Sequence, residues 1–132
     1  MFVANQFLKS LRALSLLGAL TGIFCIFILA DSNLATQTLR FPPPLDKLVH
    51  ITVFGIIAFQ LRFSRLIKND FVCWLTVFTV GALDEFHQMS IVGRTASLAD
   101  LGADAIGALI ALVAYHYLAK ATFIKWYFVI KS

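Results

Sequence analysis

The sequence alternates long apolar segments with short polar ones. The first apolar segment, Ala13–Ala30, has 18 residues without a charge, which is long enough to cross a bilayer as a helix. Three later uncharged segments have 13 to 15 residues each and reach that length only if the polar residues beside them belong to the same helices: Leu48–Leu61, Phe71–Leu83 and Ala105–Ala119. The pattern therefore predicts four transmembrane helices, over about residues 11–30, 46–63, 71–88 and 97–118.

The composition supports a membrane protein. The chain has 132 residues, of which 60% are hydrophobic, and its mean hydropathy is +0.85. A soluble domain of this size needs a more polar exterior. We therefore predict an all-α polytopic membrane protein, one membrane domain over residues 1–132 folded as a four-helix bundle. The alternative interpretation of the first segment is a cleaved signal peptide. The segment is longer than a usual signal core, however, and Ile28 before Ala30 makes a poor cleavage site.

The basic residues predict the orientation of the bundle. Eight of the eleven lysines and arginines lie at the N-terminus, between the second and third helices, or after the fourth helix. The positive-inside rule then places both termini in the cytoplasm. The net charge of +4 is spread over three segments beside the membrane, which indicates contact with anionic lipids and not nucleic-acid binding. Residues 119–132, basic and aromatic, are predicted to lie at the inner membrane surface.

The acidic residues gather on the opposite side. Six of the seven fall in two stretches that this topology places at the outer face: Asp31, Asp46, Asp84, Glu85, Asp100 and Asp104. Carboxylates are costly beside hydrocarbon, so such residues are typically kept for an ion pair, a metal, a proton or a substrate. The outer face is therefore the predicted functional face.

Helical spacing predicts which polar side chains share a face. Asp46 and His50 are four residues apart, as are Asp84 and Gln88. We expect three helix ends to surround a small polar cup in which five residues do acid/base or metal chemistry: Asp84, Glu85, His87, Asp46 and His50. Six more are predicted to bind the substrate: Arg94, Gln88, Lys47, Ser97, Asp100 and Asp104. A divalent metal is a further possibility, with four candidate ligands: His50, His87, Asp46 and Asp84.

Each of these side chains also has a purely structural interpretation. Asp46 is a candidate helix N-cap, and Ser97 with Asp100 has the Ser-x-x-Asp form of a capping box. His50 is equally suited to a hydrogen bond between helices, and Asp84 with Glu85 to marking the end of a span. In the fourth helix, small residues recur at every fourth position, which predicts close packing against a neighbour: Ala99, Ala103, Gly107 and Ala111.

The order of these motifs resembles the VanZ-like family of small multi-span bacterial membrane proteins. The resemblance covers about residues 45–114 and rests on Asp46-Lys47-x-x-His50 with Phe54 and Gly55, Asp84-Glu85-x-His87-Gln88, Arg94, Ser97-x-x-Asp100 and Gly107. It implies a location in the bacterial cytoplasmic membrane and a link to the envelope, in some members to teicoplanin resistance. The family commonly has Asn where Asp104 stands here, and a carboxylate lacks the amide donor unless it is protonated.

Three functions are compatible with the predicted cup. The leading hypothesis is an enzyme that modifies the headgroup of an envelope lipid or a lipid-linked cell-wall precursor at the outer face. The second is a binder that shields a headgroup or an antibiotic without reacting. The third is a proton-coupled carrier or a subunit of a larger complex, for which the intramembrane carboxylate of Asp104 is the motivation.

Overall fold

In the part of the chain that it describes, the computed structural model has four helices in up-and-down order. It describes the backbone of residues 2–31, 42–92 and 94–131, and the side chains of residues 5–29, 42–92 and 94–122. The described elements are α1 (Phe2–Asp31), α2 (Leu45–Ser64), α3 (Asp70–Gln88) and α4 (Leu98–Lys131). No strand occurs among these residues, so the all-α prediction is confirmed.

The ends of the two middle helices follow from local sequence. A turn at Pro43 and Pro44, closed by a 2.8 Å hydrogen bond from Leu45 N to Pro42 O, leads directly into α2. At the other end Arg65 adopts a left-handed conformation with φ 62°, which stops the helix. Asn69 then caps α3, its side-chain oxygen accepting a 3.1 Å hydrogen bond from Val72 N. The resulting short connection makes α2 and α3 an antiparallel hairpin.

Contacts between helices establish their relative directions. Lys47 near the start of α2 contacts Asp100 near the start of α4, and Phe59 packs against Tyr115 farther along both helices. The helices α2 and α4 are therefore parallel, with α3 antiparallel to both. Helix α1 is antiparallel to α2, because Ser15 in its first half donates a hydrogen bond to the carbonyl of Gln60 near the end of α2.

Helices α2 and α4 form the tightest contact in the bundle. Gly55 and Gly107 face each other there, and a Cβ added to Gly107 would lie only 2.2 Å from the carbonyl oxygen of Ile51. Ala103, Gly107 and Ala111 are buried, whereas Ala99 is exposed. Three of the four residues in the predicted small-residue stripe therefore face the bundle interior, and they allow the two backbones to approach.

Three of the four helices are long and apolar enough to cross a membrane: Asn5–Leu29, Leu45–Ser64 and Leu98–Thr122. Helix α3 has 19 residues, but the polar residues in its last turns lower its mean hydropathy. Many large apolar side chains on the outside of the bundle are exposed, among them Leu17, Ile56 and Leu109, as expected of a surface that faces lipid. The orientation of the bundle stays a prediction.

The helix bounds agree closely with the predicted spans in the middle of the chain and extend beyond them at both ends. Predicted spans 46–63 and 71–88 correspond to α2 and α3 within one residue at each end. Helix α1 begins nine residues before the predicted position 11. Helix α4 continues to Lys131, so the backbone of the predicted interfacial tail extends the fourth helix. The side chains of residues 123–132 lie outside the described part of the chain.

Candidate functional site

The polar side chains of the predicted cup lie at one end of the bundle. Helices α2 and α4 are parallel, and both begin at this end. Helix α3 is antiparallel to them, so its last turns lie there as well. This end, called the acidic end below, carries the acidic side chains of the three helices: Asp46, Asp84, Glu85, Asp100 and Asp104.

A histidine and a carboxylate from two different helices lie at the centre of the acidic end. His50 Nδ1 is 2.8 Å from Asp104 Oδ1, an ordinary hydrogen-bond distance. The side chain of Asp104 has no exposed surface, and that of His50 is 21% exposed. Gly81 on α3 leaves the room that Asp104 occupies, since a Cβ there would be 2.7 Å from Asp104 Oδ2.

Glu85 joins the end of α3 to the start of α4. Its Oε2 accepts a 2.5 Å hydrogen bond from Ser97 N, and Ser97 Oγ in turn accepts one of 3.2 Å from Asp100 N. Ser97 therefore does cap α4, as one structural interpretation predicted. The acceptor for its own N–H is Glu85 from another helix, and not Asp100 as in a local capping box.

Three carboxylates at this end each retain an oxygen without a partner. Asp84, Glu85 and Asp104 have relative exposures of 3%, 5% and 0%. Asp84 Oδ2 accepts a 2.8 Å hydrogen bond from Gln88 Nε2, which confirms that these two residues share a face. Within the described residues, however, Asp84 Oδ1, Glu85 Oε1 and Asp104 Oδ2 are buried and have no hydrogen-bond partner. Buried polar atoms in native proteins nearly always have one, so a ligand, a water or an ion is the kind of group that would satisfy these oxygens.

Lys47 is bound within the site by two carboxylates. Its Nζ lies 2.9 Å from Asp46 Oδ2 and also contacts Asp100 Oδ1, so it links α2 to α4. Asp46 accepts a hydrogen bond from the neighbouring Lys47 N, and the N-cap position of α2 is occupied by Pro44. The N-cap interpretation of Asp46 is therefore wrong. The charge of Lys47 and that of Asp46 are each used in an ion pair.

Arg94 and His87 lie at the edge of this group. The Arg94 side chain is half-buried, and no described carboxylate lies within ion-pair distance of its guanidinium. Arg94 is thus the basic side chain best suited to bind an anionic group. The His87 ring packs against Phe27 of α1, with centroids 5.6 Å apart, so the fourth wall of the site comes from α1.

Three side chains of types that bind metal ions lie near one another at the acidic end. One ligand atom each from His50, Glu85 and Asp100 lie within 4.8 Å of one another. Of the four ligands predicted from sequence, only His50 belongs to this group. The sequence predicts Glu85 as a catalytic residue and Asp100 as a substrate-binding one, because helical spacing indicates a shared face on one helix and cannot show which residues of different helices meet.

A second polar cluster lies at the opposite end of the bundle. Asp70 accepts hydrogen bonds from Arg62 Nε at 2.5 Å and from His116 Nε2 at 2.6 Å. The Arg62 guanidinium holds the pKa of the Asp70 carboxyl below its usual value. Arg62 also lies over the ring of Tyr115, 4.7 Å from its centroid. Sequence patterns had not predicted the roles of His116 and Tyr115, because both reach Asp70 and Arg62 only through tertiary packing.

Comparison with known proteins shows the family of this chain. Neither the curated proteins nor the solved structures contain a significant match. The family model described as VanZ/LLP1 matches residues 26–120, which are 95 of the 132 residues. The matched region includes α2, α3, the acidic end and most of α4, and it contains the whole of the predicted core at 45–114. The chain therefore belongs to the VanZ family of helical membrane proteins.

Proposed function

We propose that this protein is an enzyme of the bacterial cytoplasmic membrane that modifies the headgroup of an envelope lipid or of a lipid-linked cell-wall precursor. Both termini are cytoplasmic in this proposal, so the acidic end opens outward at the level of the headgroups. A contribution to resistance against teicoplanin and related glycopeptides would follow if the modified precursor is a target of the antibiotic.

The observation that carries this proposal is the His50–Asp104 pair. A fully buried carboxylate that holds one ring nitrogen of a histidine fixes the orientation of the ring and strengthens the other nitrogen as a base. The Nδ1 of His50 is engaged by Asp104, so Nε2 is the nitrogen that can take a proton from a reacting hydroxyl or water. An inert packing histidine does not require a buried anionic partner.

The surroundings of the pair support chemistry on an anionic headgroup. The half-buried Arg94 can hold a phosphate or carboxylate through its guanidinium fork. Asp84 and Glu85 each have a buried oxygen without a hydrogen-bond partner among the described residues. Because the site lies where three helices end, a headgroup can reach it from the membrane surface while the acyl chains remain beside the apolar exterior.

Lipid profiling of matched variants tests the proposal. The wild-type chain, His50→Gln and Glu85→Gln are each produced in the native strain after deletion of its own copy, and lipids and lipid-linked precursors are quantified by mass spectrometry. The matched control is His116→Gln, which removes an imidazole that also bonds a carboxylate but lies at the other end of the bundle. We expect the amount of at least one species to depend on the wild-type chain, and to be restored by His116→Gln but not by His50→Gln.

Two outcomes would contradict the enzyme. The first is a profile that is identical with and without the wild-type chain at equal membrane levels. The second is stoichiometric binding of a candidate headgroup by purified protein without turnover, which would favour the binder. The orientation is tested separately by labelling single cysteines at positions 46 and 100 in intact cells, with position 68 as the control from the opposite end. Labelling of 46 and 100 from opposite sides of the membrane would exclude a shared site.

A further inference from the structure

We propose that His50, Glu85 and Asp100 bind one divalent metal ion of the zinc or manganese type at the acidic end. The role of the metal in a reaction rests on the proposed function. The binding itself is argued from geometry, and it can be measured without any substrate.

The three side chains have the same arrangement. Each has one polar atom held by a neighbour, and a second atom left for a ligand. Nδ1 of His50 is held by Asp104, Oε2 of Glu85 by Ser97 N, and Oδ1 of Asp100 by Lys47. The remaining atoms are His50 Nε2, Glu85 Oε1 and Asp100 Oδ2. Metal-binding side chains are usually oriented in this way by outer partners, with a carboxylate on the second nitrogen of the histidine.

The distances are compatible with a small ion. One atom from each of the three side chains lie within 4.8 Å of one another. Ligand atoms at about 2.0–2.2 Å from a tetrahedral zinc are roughly 3.3–3.6 Å apart, so atoms that lie within 4.8 Å of one another need to approach by at most about 1.5 Å to bind one ion.

The unpartnered oxygen of Glu85 is the observation that favours a metal over a proton. Glu85 is 5% exposed, and its Oε1 has no hydrogen-bond partner among the described residues. Protonation would neutralise the carboxylate but would turn this oxygen into a buried donor that also needs a partner. A cation satisfies the oxygen and reduces the negative charge together.

The charge balance of the acidic end supports the same conclusion. Five carboxylates are gathered there with two permanently charged bases, Lys47 and Arg94, and two histidines, His50 and His87. With the carboxylates ionised and the histidines neutral, the formal charge is −3, from five negative and two positive groups. One divalent ion would supply two of the three missing positive charges.

The ligand set points to the class of metal. One imidazole and two carboxylates suit zinc, manganese or ferrous iron, whereas copper(I) prefers sulfur. Three protein ligands leave at least one coordination position for water or substrate, as in catalytic and not structural sites. Such an ion would polarise a headgroup phosphoryl or carbonyl group and lower the pKa of a bound water. His50 Nε2 would then be a ligand of the ion, and the metal-bound water would replace it as the reacting group.

Metal analysis of the full-length protein in detergent or nanodiscs tests the inference. The protein is stripped with a chelator, equilibrated with Zn²⁺ or Mn²⁺ and analysed for metal content. We expect about one equivalent per wild-type chain, and at least a tenfold weaker affinity for His50→Ala and for Glu85→Gln. Asp104→Leu keeps the three ligands but removes the hydrogen-bond partner of His50 Nδ1, and it should weaken binding by about 10- to 100-fold. His116→Ala should bind as the wild type does.

A gain-of-signal variant keeps the test valid if a loss variant misfolds. In a background with Cys25→Ser and Cys73→Ser, the substitution His50→Cys replaces the imidazole by a thiolate. Addition of Co²⁺ should then produce a thiolate-to-cobalt charge-transfer band that is absent from the same background with His116→Cys. No band from His50→Cys, together with no stoichiometric Zn²⁺ or Mn²⁺ in the wild type, would overturn the inference.

The outcomes separate this inference from the proposed function. A wild-type chain that changes the lipids but binds no metal would exclude the metal site and leave acid/base chemistry at His50. A chain that binds one metal ion at these residues and changes no lipid would exclude the enzyme and retain the site.

Discussion

The two ends of this bundle contain the same pair of groups in opposite surroundings. At the acidic end His50 Nδ1 lies 2.8 Å from Asp104, and at the other end His116 Nε2 lies 2.6 Å from Asp70. Each pair joins two helices. The side chain of Asp104 has no exposed surface, whereas that of Asp70 is 43% exposed, and the exposures of the two histidines are 21% and 54%.

The partners of each pair show why one end is the candidate site. Both oxygens of Asp70 are used, one by Arg62 and one by His116, so this cluster is complete as it stands. Asp104 uses Oδ1 for His50 and leaves Oδ2 buried without a described partner. Complete exposed ion pairs typically contribute little to stability, and incomplete buried groups are characteristic of functional sites. A histidine–carboxylate distance alone would not have distinguished the two ends.

Separating α2 from α4 should cause the largest loss of stability and should remove the difference between the two histidines. In Gly107→Val the new Cβ would lie 2.2 Å from the backbone oxygen of Ile51, and a backbone atom cannot move aside as a flexible side chain can. We expect a loss of at least about 3 kcal/mol in the free energy of unfolding in detergent. His50 should also become as reactive toward an imidazole-modifying reagent as His116, because it loses its contact with Asp104.

The control for this variant is Gly102→Ala in the same helix. A Cβ at Gly102 meets nothing within 4 Å, so alanine there should stabilise α4 by up to about 1 kcal/mol. If Gly107→Val unfolds at the same denaturant concentration as the wild type, the close contact between α2 and α4 does not hold the buried pair together.

Removing His50 should lower the free energy of unfolding more than removing His116 does. His50→Ala leaves the carboxylate of Asp104 buried without its partner and should cost about 3 kcal/mol. His116→Ala leaves Asp70 with Arg62 and water, and it should cost less than about 1 kcal/mol. Chemical unfolding of both variants in the same detergent measures the difference. Equal losses would mean that the two pairs are energetically equivalent and that burial does not distinguish them.

The sequence was sufficient for the two middle helices because their ends carry local signals. Prolines stand before α2, and Asn69 with its capping side chain stands before α3. Charged residues in α1 and lysines in α4 mark where the uncharged segments stop, and the predicted spans stop there too. They do not end a helix, since a helix that contains charged residues can continue beyond the bilayer. This is why both outer helices extend past the predicted spans.

The site was predictable as a set of residues and not as a set of contacts. Helical spacing placed His50 beside Asp46, but Asp46 binds Lys47 and His50 binds Asp104. The rotation of each helix about its axis decides such contacts, and that rotation depends on the close approach at Gly107. No local pattern in the sequence specifies the distance between two helices that are separated by about fifty residues.

Neutralising the lysine that links α2 to α4 should have an intermediate effect. Lys47→Met keeps an apolar stem of similar length but releases Asp46 and Asp100 from their shared cation. The three side chains are partly exposed, so we expect a loss of about 1 kcal/mol and a dependence of this loss on salt concentration. Unfolding at low and high salt measures both. A loss that salt does not change would indicate that Lys47 acts through packing of its stem and not through its charge.

The smallest expected effect concerns acid sensitivity at the exposed pair. The pKa of the Asp70 carboxyl is held below its usual 3.8 by the hydrogen bond from Arg62, so the folded state binds its proton less readily than the unfolded chain. The stabilising contribution is therefore fully present above about pH 4 and is lost as the pH falls through the lower pKa of the folded state. We expect the wild type to be slightly more stable than Asp70→Asn near pH 6, and this difference to disappear under strongly acidic conditions. Thermal unfolding of the two chains across this range provides the measurement. A difference that grows on acidification would have the wrong sign, and it would mean that the ion pair with Arg62 does not stabilise this end of the bundle.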